Sequence, residues 1–179
     1  MNGFVPAVSG MKQRGEFFAP DRPVFVARAP GRLDLMGGND DYTGGLVFEA
    51  TIREATWAAA QARGDDRIVF MNPQMRERGW RDRVEFALGD LADDETVVRL
   101  VNRCPAVTWT AYVLGVFHWL KRRFPASVTH GMNVYIASEV PLNKGVSSSA
   151  AVEVAVMKSV ARGYGIDLHG VELAEAACV

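Results

Sequence analysis

Apolar and polar residues alternate or cluster along this chain so that its first half favours strands and its second half favours helices. Short β-branched and aromatic runs bounded by turn residues predict strands at residues 24–29, 46–52, 54–61, 67–71, 83–88 and 132–137. We expect the second and third runs to pair with each other and Pro30-Gly31 to end the first. Residues 1–22 mix glycine, proline and charge, so we expect a loose N-terminal arm or an edge element ahead of a domain over residues 23–179.

Helical periodicity dominates the second half. Apolar residues fall on one helical stripe at Trp109, Tyr112, Val113, Val116, Phe117 and Leu120. Residues 147–164 predict a long buried helix, and residues 171–179 begin another. Strands followed by helices and one further strand indicate an α+β fold.

Composition and charge limit the partners that the chain can have. Lys and Arg total 20 and Asp and Glu total 21, so the net charge of -1 offers no broad basic surface to a nucleic acid. No apolar run approaches the roughly 20 residues that cross a bilayer, and residues 1–10 lack the pattern of a signal peptide. Two distant cysteines give no metal-binding spacing. We expect a cytoplasmic protein without a nucleic-acid or membrane partner.

Residues 138–151, SEVPLNKGVSSSAA, are suited to binding phosphate. A predicted strand leads into a loop, and three serines open a helix whose first N–H groups are unpaired and whose dipole favours anions. Gly145 permits close approach of a phosphate, Lys144 adds a cation, and serine hydroxyls can donate hydrogen bonds or ligate Mg²⁺. The alternative is that Ser147 merely caps the helix. The combination of these residues favours an anion site.

Residues 28–45, RAPGRLDLMGGNDDYTGG, form a second unusual segment. Its carboxylates and amides are suited to holding a polyhydroxylated ligand, and Arg32 is suited to neutralising charge on a transferred phosphoryl group. The alternative is a turn-rich connector, because Asn, Asp and Gly are common in turns for backbone reasons alone. Composition leaves both interpretations open.

The two segments resemble the first and second motifs of the GHMP kinases, and specifically of the galactokinase-like sugar kinases. They occur in the family's order, and the resemblance runs from about residue 24 to residue 179. The GRLD start, the MGG turn, IREA at residues 52–55 and KGVSSSAAVEVA are most similar to L-arabinokinases.

This resemblance implies a ribosomal-protein-like two-layer α/β sandwich joined to a second α+β domain. It also implies ATP, Mg²⁺ and transfer of the γ-phosphoryl group to the anomeric hydroxyl of a monosaccharide. By position, Arg32 would stabilise the transition state and Ser149 would ligate Mg²⁺. The sugar-binding residues would be Asp34, Asn39, Asp41 and Tyr42, and the ATP-binding residues would be Asn143, Lys144, Gly145, Ser147 and Ser148.

Two departures from the family pattern bear on the substrate and the loop. Gly38-Asn39 stands where galactokinases have Glu-His, which removes the carboxylate that grips the hydroxymethyl group of a hexose. We therefore expect a pentose substrate, L-arabinose. Asn143 stands where the family more usually has glycine, which puts the loop conformation in question.

The resemblance also implies that the chain holds only the N-terminal part of such a kinase. The family's catalytic aspartate, acidic Mg²⁺ ligand, third motif and second domain follow the helix at which this sequence stops. We expect the 179-residue chain alone to be inactive and to self-associate through the surface left by the missing domain. The alternatives are a galactokinase, another GHMP small-molecule kinase, and a non-catalytic nucleotide- or sugar-binding module.

Overall fold

The computed structural model describes residues 3–38, 40–91 and 93–176, with the backbone alone at residues 41, 42 and 175. Five strands form one sheet in the order β1-β2-β5-β3-β4, in which all neighbours are antiparallel except the parallel pair β3 and β5. The strands are β1 Phe25–Met36, β2 Phe48–Ala62, β3 Arg67–Met71, β4 Arg83–Ala87 and β5 Met132–Ser138. The helices are α1 Phe4–Arg14, α2 Asp94–Asn102, α3 Ala111–Arg123, α4 Ser148–Gly163 and α5 Gly170–Ala176.

The main core lies between the sheet and helices α3 and α4. Phe70 of β3 packs on Phe117 of α3 with their ring centroids 5.7 Å apart, and Ala155 and Val160 of α4 are fully buried in the same cluster. This mixed sheet covered by helices confirms the predicted α+β class. No described helix combines the length and apolar character that a membrane span requires.

Residues 4–14 form a helix, so the expectation of a loose arm is wrong for this segment. Phe4, Val8 and Met11 share one buried face of α1, because they follow the spacing of a helical stripe. Together with Phe17 and Phe18 they cover the sheet face opposite α3 and α4 and form a second apolar cluster. The segment is helical and packed because burying its aromatic side chains stabilises it more than its glycine and proline residues disfavour a helix.

Strand β2 is a single strand where two paired strands were predicted. Residues 48–62 run without a turn, and β2 pairs with β1 on one side and, from Thr56 to Ala62, with β5 on the other. Strand β1 also continues through Pro30-Gly31, with a shift in register between Pro30 and Arg32. Proline is tolerated there because β1 lies at the edge of the sheet. The expected break after residue 29 is therefore wrong.

The N-terminal part of β2, residues 48–54, pairs with β1 but with no other described strand, because the pairing of β2 with β5 begins at Thr56. Residues 31–36 and 48–54 thus form a two-stranded extension, which we call the ribbon. Residues 31–36 of the segment over 28–45 therefore lie in a strand of the ribbon and not in a turn-rich connector. A short 3-10 helix, Asp40–Thr43, follows. The remaining predicted strands and the long helices lie within a few residues of their expected positions, whereas α2 was not predicted.

Candidate active site

The segment predicted to bind phosphate begins where strand β5 ends, and the side chain of Gln74 holds that end of the strand. Gln74 donates through Nε2 to the carbonyl of Ser138 at 2.8 Å and accepts from the Ser138 N–H through Oε1 at 2.7 Å. The Ser138 hydroxyl in turn accepts from the Val140 N–H at 3.1 Å. The strand end is therefore held from two directions. Nothing in the sequence pattern indicated Gln74, because the contact spans 64 residues.

The loop between β5 and α4 uses the left-handed backbone region three times. Asn143 has φ 58°, Gly145 has φ 68° and Ser147 has φ 55°. Asparagine is among the residues that adopt this conformation most readily, so Asn143 takes a conformation that glycine also favours. The question raised by its departure from the family pattern is thereby answered.

The Ser147 side chain does not cap helix α4. Ser147 occupies the N-cap position but makes no side-chain cap hydrogen bond, so the capping alternative is wrong. The helix of 16 residues therefore presents its first N–H groups without that internal acceptor. This is the arrangement that an anion at a helix N-terminus requires.

The two sequence motifs meet through the backbone. The Arg32 N–H donates to the carbonyl of Val146 at 3.0 Å, which joins strand β1 to the phosphate loop. A Cβ atom at Gly31 would lie 2.9 Å from that same carbonyl oxygen and 2.9 Å from Ile52 Cδ1 and Val140 Cγ1. Glycine is needed here because a side chain would collide with these atoms. Backbone conformation is not the reason, since φ at Gly31 lies outside the left-handed region.

Arg32 and Asp34 lie on the ribbon beside a third charged residue. Arg32 Nε lies 3.0 Å from Glu49 Oε1, and Asp34 is directly opposite Glu49 in the register of β1 and β2. The Asp34 atom Oδ1 is buried and has no hydrogen-bond partner among the described residues. A hydroxyl donor of a ligand would satisfy it.

Three predicted sugar-binding residues remain predictions. Asn39 lies outside the described residues, and only the backbone of Asp41 and Tyr42 is described, within the 3-10 helix Asp40–Thr43. Their proposed contacts with a sugar are therefore not tested by the structure.

A cavity of about 390 Å³ opens beside the start of helix α4. Its wall includes Ser148 and Ser149, and Leu142 and Asn143 from the loop. Lys144, Gly145 and Ser147 are not part of this wall; Lys144 and Gly145 are exposed to solvent and Ser147 is half-buried. The predicted ATP-binding residues thus divide between the cavity wall and the loop next to it.

Aromatic residues from two other segments complete the cavity, and sequence reasoning missed them as site residues. Trp80 and Met75 contribute from the region of the 3-10 helix Pro73–Arg78, Trp109 from the 3-10 helix Pro105–Thr110, and Tyr112 from the start of α3. The Trp109 indole donates through Nε1 to the carbonyl of Arg81 at 2.9 Å, which fixes its ring. Tyr112 belongs to the predicted apolar stripe but is 49% exposed. The hydroxyl of Tyr112, near the N-terminal end of an otherwise apolar stripe, was the one sequence feature that could have indicated a site there.

One titratable group close to the loop has a shifted pKa. Glu153 lies one helical turn after Ser149 on α4, and its burial raises the pKa of the carboxyl to about 6. It lines a separate small cavity of about 240 Å³ with Tyr112 and Gly115 of α3 and Ala176 of α5.

The residues present fit a Mg²⁺ ion in part. Ser149 brings a hydroxyl oxygen to the cavity wall, and hard cations take oxygen ligands. The described residues contain no group of three His, Cys, Asp or Glu side chains placed to hold a metal. Mg²⁺ in phosphoryl-transfer sites takes most of its remaining ligands from phosphates and water.

Known proteins are similar to this chain both in sequence and in fold. The galactokinase galactose-binding signature matches residues 15–62, and the GHMP kinases N terminal domain matches residues 111–179. An L-arabinokinase of Arabidopsis thaliana is 33% identical and covers 91% of this chain. A galactokinase of Chloroflexus aggregans is 39% identical and covers 85%. Lactococcus lactis galactokinase, solved in complex with galactose, superposes with a TM-score of 0.75 and 25% identity over 96% of this chain.

The chain belongs to the GHMP kinases, whose N-terminal domain it has by fold and by sequence. Within that family it is galactokinase-like, with both L-arabinokinase and galactokinases among its relatives. The predicted family and fold are thereby confirmed. The chain spans only 18% of the length of that L-arabinokinase, 35% of that Chloroflexus galactokinase and 41% of the Lactococcus chain.

Proposed function

We propose that this chain forms the ATP- and sugar-binding part of a sugar kinase, which transfers the γ-phosphoryl group of ATP to the anomeric hydroxyl of a monosaccharide. One observation carries the proposal: the Arg32–Val146 backbone hydrogen bond joins the two motifs beside a cavity of about 390 Å³. That volume lies in the range of pockets that hold small organic ligands. An anion loop and a charged ribbon in contact are what phosphoryl transfer to a neutral acceptor needs.

The chain's own residues would bind and orient the nucleotide. The rings of Trp80 and Trp109 offer flat apolar surfaces to a base, and the opening turn of α4 with Ser148 offers donors to phosphates. Arg32 would stabilise the charge that develops on the transferred group. Phosphoryl transfer depends mainly on such positioning and electrostatic stabilisation.

Ser149 would hold Mg²⁺ together with the phosphate oxygens. The ion, when bound, would neutralise charge on the β- and γ-phosphates. Gly145 has φ 68°, and in the part of the chain that the structure describes no atom lies within 4 Å of the position that a Cβ would take there. The loop is therefore open for a phosphate to approach its backbone.

L-arabinose is the substrate that we propose. Gly38 offers no side-chain acceptor, and no atom of the described residues lies within 4 Å of the position that a Cβ would take there. A pentose needs no acceptor for an outer hydroxymethyl group. Galactose is the second candidate, and the galactokinase relative at 39% identity favours it.

Isothermal titration calorimetry of Mg·ATP with the 179-residue chain tests nucleotide binding. We expect saturable binding that Ser148→Ala and Trp109→Ala weaken, whereas Val98→Ala, an exposed position on α2 outside the cavity wall, leaves it unchanged. A folded chain that binds no nucleotide would overturn the proposal.

A sugar comparison tests the acceptor. Saturation-transfer NMR with L-arabinose and galactose, each with Mg·ATP present, is expected to favour L-arabinose. Phosphorylation assays on the same mixtures separate a kinase from a binding module, since a module would bind both ligands without forming a sugar phosphate. A clear preference for galactose would refute the pentose assignment.

A further inference from the structure

Glu49 is a charged residue of the ribbon to which neither motif assigns a role. It lies on β2, diagonally across from Arg32, and its Oε1 is 3.0 Å from Arg32 Nε. The Glu49 side chain is 24% exposed and that of Arg32 is 42% exposed, so the pair is partly shielded from water. Such pairs are screened less than fully exposed ones.

The ion pair uses one side of the guanidinium. Arginine presents five N–H donors in a rigid planar fork. The contact with Glu49 is an ion pair at 3.0 Å and not a hydrogen bond, since Arg32 Nε makes none among the described residues, so its attraction is electrostatic and leaves the two terminal nitrogens for another acceptor. Among the described residues, the Glu49 carboxylate is the one side-chain group that the structure pairs with Arg32. A guanidinium held in this way is suited to a phosphoryl oxygen.

The arrangement of charges on the two strands also favours a cation beside Glu49. Asp34 faces Glu49 directly in the antiparallel register. Like charges at facing positions are unfavourable, so a cation bound beside them lowers the free energy of the ribbon. The three residues therefore favour one position of the guanidinium.

We propose that Glu49 is a positioning residue for Arg32, which it orients so that the terminal nitrogens meet the γ-phosphoryl group of ATP. This inference rests on the proposed function. Glu49 itself touches no reacting atom and acts through Arg32.

Affinity for Mg·ATP relative to Mg·ADP, measured by calorimetry on the 179-residue chain, tests this role, because the two nucleotides differ in the γ-phosphoryl group. Glu49→Ala is expected to lower the ATP-to-ADP affinity ratio about fivefold, with ADP binding unchanged, since a charge-assisted contact is weakened. Glu49→Gln keeps the size of the side chain but removes its charge, so it is expected to lower the ratio as Glu49→Ala does. In an Arg32→Ala background, Glu49→Ala should have no further effect.

Glu54→Ala is the matched control. Glu54 lies on the same strand and pairs with Arg53 at 3.4 Å. Arg53 is 94% exposed, and this pair shares no residue with the set of Arg32, Asp34 and Glu49. The control should leave the affinity ratio unchanged, and circular dichroism should show every variant to be folded.

Four outcomes would overturn the role of Glu49. Tighter ATP binding by Glu49→Ala would mean that Glu49 only neutralises Arg32, and additive effects in the double variant would mean that the two act separately. An unchanged ratio in a chain that binds ATP normally would refute this inference alone. Failure of the wild-type chain to bind ATP would refute the proposed function together with it.

Discussion

At the scale of single residues, Gly31 is a contact point between two motifs and not the end of a strand. Gly31→Ala would place a Cβ 2.9 Å from a backbone oxygen and two methyl groups. Because one of these atoms is a carbonyl that receives the Arg32 hydrogen bond, the loop must shift. We expect a loss of about 1–3 kcal/mol in the free energy of unfolding, measured by urea denaturation, and weaker Mg·ATP binding.

Gly89→Ala serves as the control for this substitution. Gly89 has no atom within 4 Å of a Cβ and its φ lies outside the left-handed region. If Gly31→Ala were as stable as Gly89→Ala and bound Mg·ATP equally well, the close contact of the two motifs would have no energetic consequence.

The residues that sequence reasoning identified are those whose chemistry is local. Gly145 and Ser148 could be proposed as site residues because a phosphate loop is a continuous segment with its own backbone requirements. Gln74 and Glu49 could not, since each contacts a segment that is distant in sequence and that the fold brings to it. Trp109 and Tyr112 were noticed as members of a helix stripe, but periodicity does not tell which end of a stripe opens into a cavity.

At the scale of elements, hydrophobic periodicity predicted most strands and both long helices. It failed where tertiary contacts override local signals. Pro30-Gly31 lies in an edge strand that continues beyond it, and α1 depends on aromatic residues that are buried only once the sheet exists. The alanines of β2 were a weak strand signal, yet Ala58, Ala59 and Ala60 are fully buried because helices pack closely on both faces.

Glu153 lies among α3, α4 and α5 and makes their packing dependent on pH. Burial raises its pKa from 4.5 to about 6, so the folded state holds the proton more tightly than the unfolded state. Its contribution to stability is complete below pH 4.5 and is lost as the pH rises through 6.

Glu153→Gln is therefore expected to raise stability at pH 8 relative to the wild type and to leave it nearly unchanged at pH 4. Because Glu153 is only half-buried, solvent screening reduces the gain to about 1 kcal/mol. Thermal denaturation at both pH values measures the difference. Lys158→Gln, an exposed position on the same helix, is the control. An equal effect of Glu153→Gln at pH 4 and pH 8 would contradict the titration.

At the scale of the whole molecule, both faces of the sheet carry a core but the ribbon does not. Strands β2, β3 and β5 lie between α1 on one face and α3 and α4 on the other. The ribbon and the segment that joins its strands instead expose large apolar side chains, namely Leu33, Leu35, Met36, Leu46 and Phe48 at 43%, 48%, 71%, 96% and 61%. Clustered exposure of this kind marks an interaction surface.

Self-association of the 179-residue chain through the ribbon is the outcome that this surface predicts. Met36 and Phe48 face each other across the two strands, so replacing both with serine removes apolar area without disturbing a buried contact. Each side chain covered on association contributes about 1–2 kcal/mol, and the double variant should therefore weaken association at least about tenfold. Sedimentation velocity across a range of concentrations measures it. Val98→Ser, an equally exposed apolar position on α2, should leave association unchanged, and a wild-type chain that stays monomeric at the highest concentration would show that the exposed ribbon finds no partner in its own copies.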